Sequence, residues 1–360
     1  MTAALRKRVV GQPRAIDEIV PYVRMHEANL SPGGRPVGVF LLLGPTGTGK
    51  TKTVEALAEV LHGSEKNLLR IDCGEFQLEH EVAKLIGAPP GYLGHRETHP
   101  MISQQKLNAT TSEFCGLSIV LLDEIEKAAP SLGRLLLGVL DKGTLHLGDN
   151  TVVNFENSLI FLTSNLGARE MMQSVRPGFG YRAAIRPEGA DGSRKLERIA
   201  MHSVSKQFSP EFVNRIDSII TYEPLNRQAC NEILDIQIGL LQDHIYRRLG
   251  SRAFDIEVSR AGRDFLLDRG VSPEYGAREI RRVVYRHVTQ PLADMVATGK
   301  IEPGGVVHAI LDHQTNRLRF LCRQAGAKGE QVLAPEAERA GKDGHRTTAD
   351  EFGDQLALSA

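Results

Sequence analysis

Gly44-Pro45-Thr46-Gly47-Thr48-Gly49-Lys50-Thr51 decides the fold. The apolar run Val37-Gly-Val-Phe-Leu-Leu-Leu43 precedes it, and the helix-compatible run Lys52-Thr-Val-Glu-Ala-Leu-Ala-Glu-Val-Leu61 follows. Strand, glycine loop and helix in this order are the context that a phosphate-binding loop requires. The glycines let backbone N–H groups close around phosphate oxygens without side-chain clash. The helix N-terminus adds partial positive charge at the same point. Lys50 can reach the outer phosphates, and the Thr51 hydroxyl can hold Mg2+. All eight residues are therefore expected to bind a nucleotide, ATP or GTP. The competing reading is a plain glycine-rich turn, which would not need these flanks.

Downstream, Asn67–Cys73 reads as a second strand and Glu79–Ile86 as a helix. Ala88-Pro-Pro-Gly-Tyr-Leu-Gly94 must be a loop, with Tyr92 at its tip. Residues 98–114 are polar and expected to be helical. Leu117-Ser-Ile-Val-Leu-Leu-Asp-Glu124 is an apolar strand that ends in two carboxylates. Behind a phosphate loop, such a pair has a specific use. Asp123 can hold the Mg2+ shell, directly or through water. Glu124 can act as general base on the attacking water. A solvated strand end is the alternative. Ser131–Leu140 has a helical apolar face, and Asp141–Asn150 reads as a hairpin. Asn157-Ser-Leu-Ile-Phe-Leu-Thr-Ser-Asn165 is another buried strand, which brings Asn165 to the sheet edge that carries Asp123. There Asn165 can orient water or cap a turn. Residues 171–192, rich in Gly, Pro and Arg, are expected to form a mobile surface loop. Helix resumes over 193–207, and Arg215 stands beside a short apolar helix.

From Leu225 the pattern becomes mostly helical, with a strand at Phe254–Ser259, a last long helix over about 275–299, and a closing hairpin at Val306–Leu311 and Arg317–Leu321. Residues 324–360 have the composition of a disordered tail. Lys+Arg and Asp+Glu both number 44, which gives no support for nucleic acid as a partner. No run is long and apolar enough for a membrane span. The N-terminus does not look like a signal peptide. The four cysteines form no Cys-x-x-Cys motif, which suits a reducing, cytoplasmic setting.

These motifs, in this order, resemble the Clp branch of the AAA+ ATPases, most closely the second ATPase domain of ClpB-, ClpA- and ClpC-type unfoldases. The shared text is Arg-Val-Val-Gly-Gln (8–12), the phosphate loop, Leu-Ile-Gly-Ala-Pro-Pro-Gly-Tyr-Leu-Gly (85–94), Leu-Asp-Glu-Ile-Glu-Lys-Ala (122–128), Thr-Ser-Asn-Leu-Gly (163–167), Pro-Glu-Phe-Val-Asn-Arg-Ile-Asp (210–217) and Tyr-Gly-Ala-Arg (275–278). The resemblance implies an α/β P-loop AAA+ module with a parallel sheet flanked by helices over residues 1–222. It implies a small, mostly helical lid domain with a short β-hairpin over 223–323. Val9 and Val10 would line the adenine pocket of ATP, Asn165 would be the first sensor and Arg278 the second. Arg215 would be an arginine finger reaching a neighbouring subunit's site, a role worth about 10³–10⁵ in rate. Gly91, Tyr92, Leu93 and Gly94 would form the pore loop that grips a polypeptide substrate. A finger acting in trans implies a homo-oligomer, a hexameric ring.

Four departures stand beside the resemblance. The family's N-terminal domain, first ATPase domain and middle domain have no counterpart here, so disaggregation with partner chaperones is not carried over. His95–Glu113 departs from the family's acidic, glycine-rich text. Ala129 stands where the family commonly has His. Pro177-Gly178-Phe179 lacks the leading aliphatic of the peptidase-docking tripeptide, which leaves an adaptor or peptidase as a secondary partner. Against an ATP-driven unfoldase stands a non-threading ATP switch or assembly factor that binds a dedicated partner.

Overall fold

β1 (Gly38–Leu43) is buried at every position. Its side chains alternate between two apolar layers: Val39, Leu41 and Leu43 face one, Phe40 and Leu42 the other. A strand covered on both faces reads as one unbroken apolar run, which is how this one reads. The computed structural model describes residues 1–87, 100–175, 190–271, 276–323 and 330–333. Its other strands are β2 (Leu69–Asp72), β3 (Ser118–Asp123), β4 (Thr144–His146), β5 (Val152–Asn154), β6 (Ser158–Ser164), β7 (Ser218–Thr221), β8 (Asp255–Val258), β9 (Val306–Asp312), β10 (Arg317–Arg323) and β11 (Glu330–Leu333). The described helices are α1 (Thr2–Arg8), α2 (Pro13–Glu27), α3 (Lys50–His62), α4 (Val82–Ile86), α5 (Gln104–Asn108), α6 (Pro130–Lys142), α7 (Ala168–Val175), α8 (Ala190–Gln207), α9 (Pro210–Val213), α10 (Arg227–Leu249), α11 (Arg260–Gly270), α12 (Arg278–Val284) and α13 (Gln290–Ala297).

The chain divides into two compact units. The larger holds Met1–Ile236 and Leu267–Arg282. Its sheet has the order β2-β3-β6-β1-β7, and every pairing is parallel. Parallel neighbours need crossover helices, which cover the two faces. α2 and α3 supply Ile16, Ile19, Val54 and Leu57 to one layer, and α6 supplies Leu132, Leu136 and Val139 to the other. Because all five strands run the same way, the residues after β1, β3 and β6 emerge at one edge. Those residues are Gly44, Glu124 and Asn165.

The smaller unit holds Gln237–Leu266 and the chain from Val283. Its sheet has the order β11-β10-β9-β8, with β8 parallel to β9 and the other pairs antiparallel. Phe265, Val288, Leu292, Met295, Val307 and Phe320 are buried in it.

Several local expectations need correction. Between 98 and 114 only Gln104–Asn108 is helical in the described part. The hydroxyls of Thr110 and Thr111 donate to the Leu107 and Asn108 carbonyls at 2.7 Å, taking acceptors a longer helix would use. Ser112 and Cys115 then close a tight turn. The segment 171–192 is not wholly loop: α7 reaches Val175 and α8 begins at Ala190. Met171 is fully buried, and that apolar contact holds the α7 turn in place. The last long helix is interrupted by a π-helical segment, Tyr285–Thr289. Pro291, at the start of α13, has no N–H to give the carbonyl four residues back, so the ladder must rearrange there. Residues 330–333, expected in the tail, pair as β11 with the open edge of β10.

Leu41 sits at the centre of β1 with no exposure. Leu41→Ala should destabilise the larger unit by about 2–5 kcal/mol, read as a lower urea midpoint without a change in slope.

Candidate functional site

Gly44 leaves β1 with φ +148°, and a Cβ there would lie 2.6 Å from the Tyr222 carbonyl oxygen. Only glycine lets the loop pass this point. The Tyr222 N–H donates to the Leu43 carbonyl at 2.7 Å, so β7's end pins the start of the loop. Thr48 Oγ1 donates to the Pro45 carbonyl at 2.8 Å and closes the loop on itself. Gln12, 5% exposed, supports it from outside. Its Nε2 donates to the Thr48 carbonyl at 3.2 Å and the Glu223 carbonyl at 2.9 Å, and its Oε1 accepts from the Glu223 N–H at 3.3 Å. Gln12 is a supporting residue that sequence reading missed; its only signal was the motif Arg-Val-Val-Gly-Gln. In that motif Val9 is buried in the apolar layer with Leu5 and Leu57, while Val10 stays half-buried.

Lys50 opens α3 and is 7% exposed. Its Nζ donates to the carbonyls of Gly44 at 2.7 Å and Pro45 at 2.9 Å, and to Asn165 Oδ1 at 3.0 Å. Burial lowers its pKa to about 8, and the positive charge of Arg278 works in the same direction. Glu126, Asp123 and Glu124 oppose that shift.

The carboxylates are organised by strand alternation. Ile119 and Leu121 of β3 and Leu159 and Phe161 of β6 face the same layer as Val54 and Leu57 of α3. Two residues further on, Asp123 and Thr163 fall on that side too, as does Asn165. Thr163 Oγ1 donates to Asp123 Oδ1 at 2.5 Å and accepts the Glu124 N–H at 3.0 Å. Thr51 Oγ1 lies 3.5 Å from the same Asp123 oxygen. Arg70 pairs with the other Asp123 oxygen at 2.5 Å. Glu124 should point to the opposite layer, beside Leu122, if the strand stayed regular. Its φ of +57° turns it back. Glu124 Oε1 then accepts from Asn165 Nδ2 at 3.2 Å, and Oε2 pairs with Lys127 at 2.5 Å. Sequence reading missed Arg70, Thr163 and Lys127 in these roles. Each is an ordinary residue in a strand or turn: the pairing of β2, β3 and β6 gives Arg70 and Thr163 their partner, and the turn after β3 brings Lys127 back to Glu124 three residues earlier.

Gly276 and Ala277 lie against the phosphate loop. A Cβ on Gly276, at φ +54°, would come within 2.8 Å of the Thr46 carbonyl oxygen, and the Ala277 N–H donates to the Gly47 carbonyl at 3.2 Å. Arg278 follows directly and is exposed at the start of α12. Arg215 lies apart in its contacts: Nη1 donates to the Glu211 carbonyl at 2.9 Å, and Nη2 pairs with Glu211 at 3.1 Å and Asp141 at 3.6 Å. Gly91, Tyr92, Leu93 and Gly94 lie outside the described residues, as do Tyr275 and the tripeptide at 177–179.

The AAA domain of the Cdc48 subfamily matches residues 35–219, more than half of the chain. The C-terminal, D2-small domain of ClpB matches residues 225–309. The chain belongs to the Clp family of AAA+ ATPases. A chaperone protein ClpB of Pseudomonas putida is 39% identical over 310 residues, covering 86% of this chain and 33% of that protein. The negative regulator of genetic competence ClpC/MecB of Bacillus subtilis is 35% identical over 312 residues, covering 87% of this chain and 36% of that protein. A closed-state cryo-EM reconstruction of Hsp104 with ATPγS and FITC casein superimposes with a TM-score of 0.73 at 28% identity, covering 89% of this chain and 51% of that one. The chain spans about a third of the length of these curated relatives.

Membership implies nucleotide binding together with a divalent metal. The donor set fits such a metal. Thr51 Oγ1 and Asp123 Oδ1 converge, and no cluster of three or more His, Cys, Asp or Glu ligands stands among the described residues. A cation held mainly by phosphates and water needs only one or two protein oxygens. Among the described residues no helix is long and apolar enough to cross a membrane.

Lys50 gives a pH test. Phosphate oxygens placed beside it would raise its pKa from about 8, so binding above that pH would take up a proton. Affinity for metal-free ATP should be flat between pH about 7 and 8, where the terminal phosphate is already ionised, and fall above that, by at most about tenfold per pH unit. Calorimetry at about pH 9, in buffers of different ionisation enthalpy, should report the uptake, and Lys50→Arg should remove it.

Proposed function

We propose that this chain is an ATP-driven protein remodeller that works as a ring and threads polypeptide past the Tyr92 loop. The observation that carries the reading is the division of labour among its charged and polar groups. Lys50, Glu124 and Asn165 meet at one sheet edge, whereas Arg215, among the described residues, pairs with Glu211 and Asp141 and with no member of that cluster. A transition-state arginine without a place in its own site suits a neighbour's site. A homo-hexamer, polypeptide substrates and a cytoplasmic location belong to the same proposal.

In this reading Lys50 and the N–H groups of the loop hold the phosphates of ATP, with Arg278 reaching them from the same chain. Val10, and Val9 through its backbone, border the adenine. Thr51 and Asp123 hold Mg2+, which would neutralise charge on the phosphates when bound. Glu124 takes the proton from the attacking water, and Asn165 fixes that water's direction through its contact with Glu124. The lid, from residue 223 to 323, follows the nucleotide state, and Tyr92 follows the lid. An aromatic suits that contact because it offers large area to many side chains without one required hydrogen-bond pattern.

Glu124→Gln should retain ATP binding and lose about 10²–10⁴-fold in hydrolysis. Arg215→Ala should also be inactive alone. Mixed with Glu124→Gln protein, it should regain part of the rate, because an intact Glu124 then meets an intact Arg215 from the next subunit. A mixture that stays inactive would exclude a finger in trans. Tyr92→Ala should hydrolyse ATP within a few-fold of the parent yet fail to unfold a tagged substrate. Equal unfolding by both proteins would favour the non-threading switch.

A further inference from the structure

Glu126 lies inside the site. Its Oε1 accepts the backbone N–H of Asn165 at 3.0 Å. That N–H has left the sheet ladder, because β6 pairs with β1 only as far as Ser164 and with β3 only as far as Leu162. The other oxygen, Oε2, is buried and has no hydrogen-bond partner among the described residues. An unpaired buried carboxylate oxygen is unfavourable, so a neutral acceptor would serve better if capping a strand were the whole task. A charged acceptor makes the shorter and stronger bond, which suits holding a position. The amide of Asn165 makes three contacts from that fixed point: Oδ1 accepts from Lys50 at 3.0 Å and from Thr46 Oγ1 at 3.4 Å, and Nδ2 donates to Glu124 at 3.2 Å. The same 3-10 turn, Ile125–Lys127, also sends Lys127 to the far oxygen of Glu124. One short turn thus holds both members of the Glu124–Asn165 pair.

We propose that Glu126 is a positioning residue for hydrolysis, fixing Asn165 through its backbone N–H and so setting the Glu124–Asn165 contact. The proposal rests on the reading of this site as an ATPase. The full chain carrying Glu126→Ala should, at about pH 6.5, where Lys50 stays protonated, bind a fluorescent ATP analogue with affinity within about threefold of the parent, since the hydrogen bond of Glu126 is to the Asn165 N–H and not to Lys50 or the loop. Its kcat should fall about 10- to 100-fold, the scale of a small misplacement of a reacting group. Glu126→Gln keeps the acceptor oxygen and should recover most of the rate. In an Asn165→Ala background, Glu126→Ala should add no further loss of kcat, because it acts through a side chain already gone. A parental kcat for Glu126→Ala overturns the proposal, as does an independent, multiplicative loss in the double variant. So does a loss of nucleotide binding and thermal stability in step with activity, which marks a purely structural role. If Glu126→Ala does not fold, Glu126→Asp withdraws the carboxylate by one methylene and should lower kcat at unchanged KM; a parental kcat there also overturns the proposal. A parent chain that hydrolyses no ATP overturns the ATPase reading together with this inference, whereas an active parent matched by its Glu126 variants overturns the inference alone.

Discussion

The parallel register of three strands is the constraint on which the rest of the structure depends. β1 and β6 run level to the pair Leu43 and Ser164, and β3 is level with β6 through Leu122 and Leu162. A slip of one residue would send each terminal side chain to the other face. Asp123, Thr163 and Asn165 would then leave the layer that holds α3, and Lys50 would lose Asn165. The apolar side chains that set this register, such as Phe40, Leu121 and Phe161, are fully buried in the layer beneath the strand ends. The chemistry is therefore held in place by packing that lies behind it.

Burying the Lys50 ammonium is the second constraint. A buried cation needs compensating groups. Here two loop carbonyls and the Asn165 amide supply them, and the nearby carboxylates supply a favourable field. The carboxylates are restrained in turn. Arg70 holds Asp123, Lys127 holds Glu124, and Glu126 holds the backbone of Asn165. Each of these three groups thus has a partner that fixes it. Such pre-organisation lowers the reorganisation that the chemical step requires.

Arg215 fits a different pattern. Its guanidinium is held by Glu211 and Asp141, while its Nε is buried without a partner among the described residues. Gly276 and Ala277 touch the phosphate loop through backbone atoms and leave Arg278 at the opening of α12. One arginine therefore stands beside the loop and the other is restrained by acidic side chains. This arrangement gives the two arginines different surroundings.

The sequence by itself determined the elements that depend on local rules. The apolar runs at 37–43, 117–122 and 158–162 gave strands, and the glycines between β1 and α3 gave the phosphate loop. The carboxylates at 123 and 124 and the amide at 165 were legible because they end such runs. Overreach came where local polarity stood in for contacts, as at 98–114, where threonine hydroxyls end the helix early, and at 171–175, where a buried methionine keeps a helix going. Only the tertiary structure decided which way the strand ends face. Alternation alone sends Glu124 away from Asn165, and a left-handed backbone turn at φ +57° brings it back. Only the pairing of β2, β3 and β6 gave Arg70, Thr163 and Glu126 their partners. The physical reason is that these contacts join residues about 40 to 50 positions apart, across strands whose register no local pattern records.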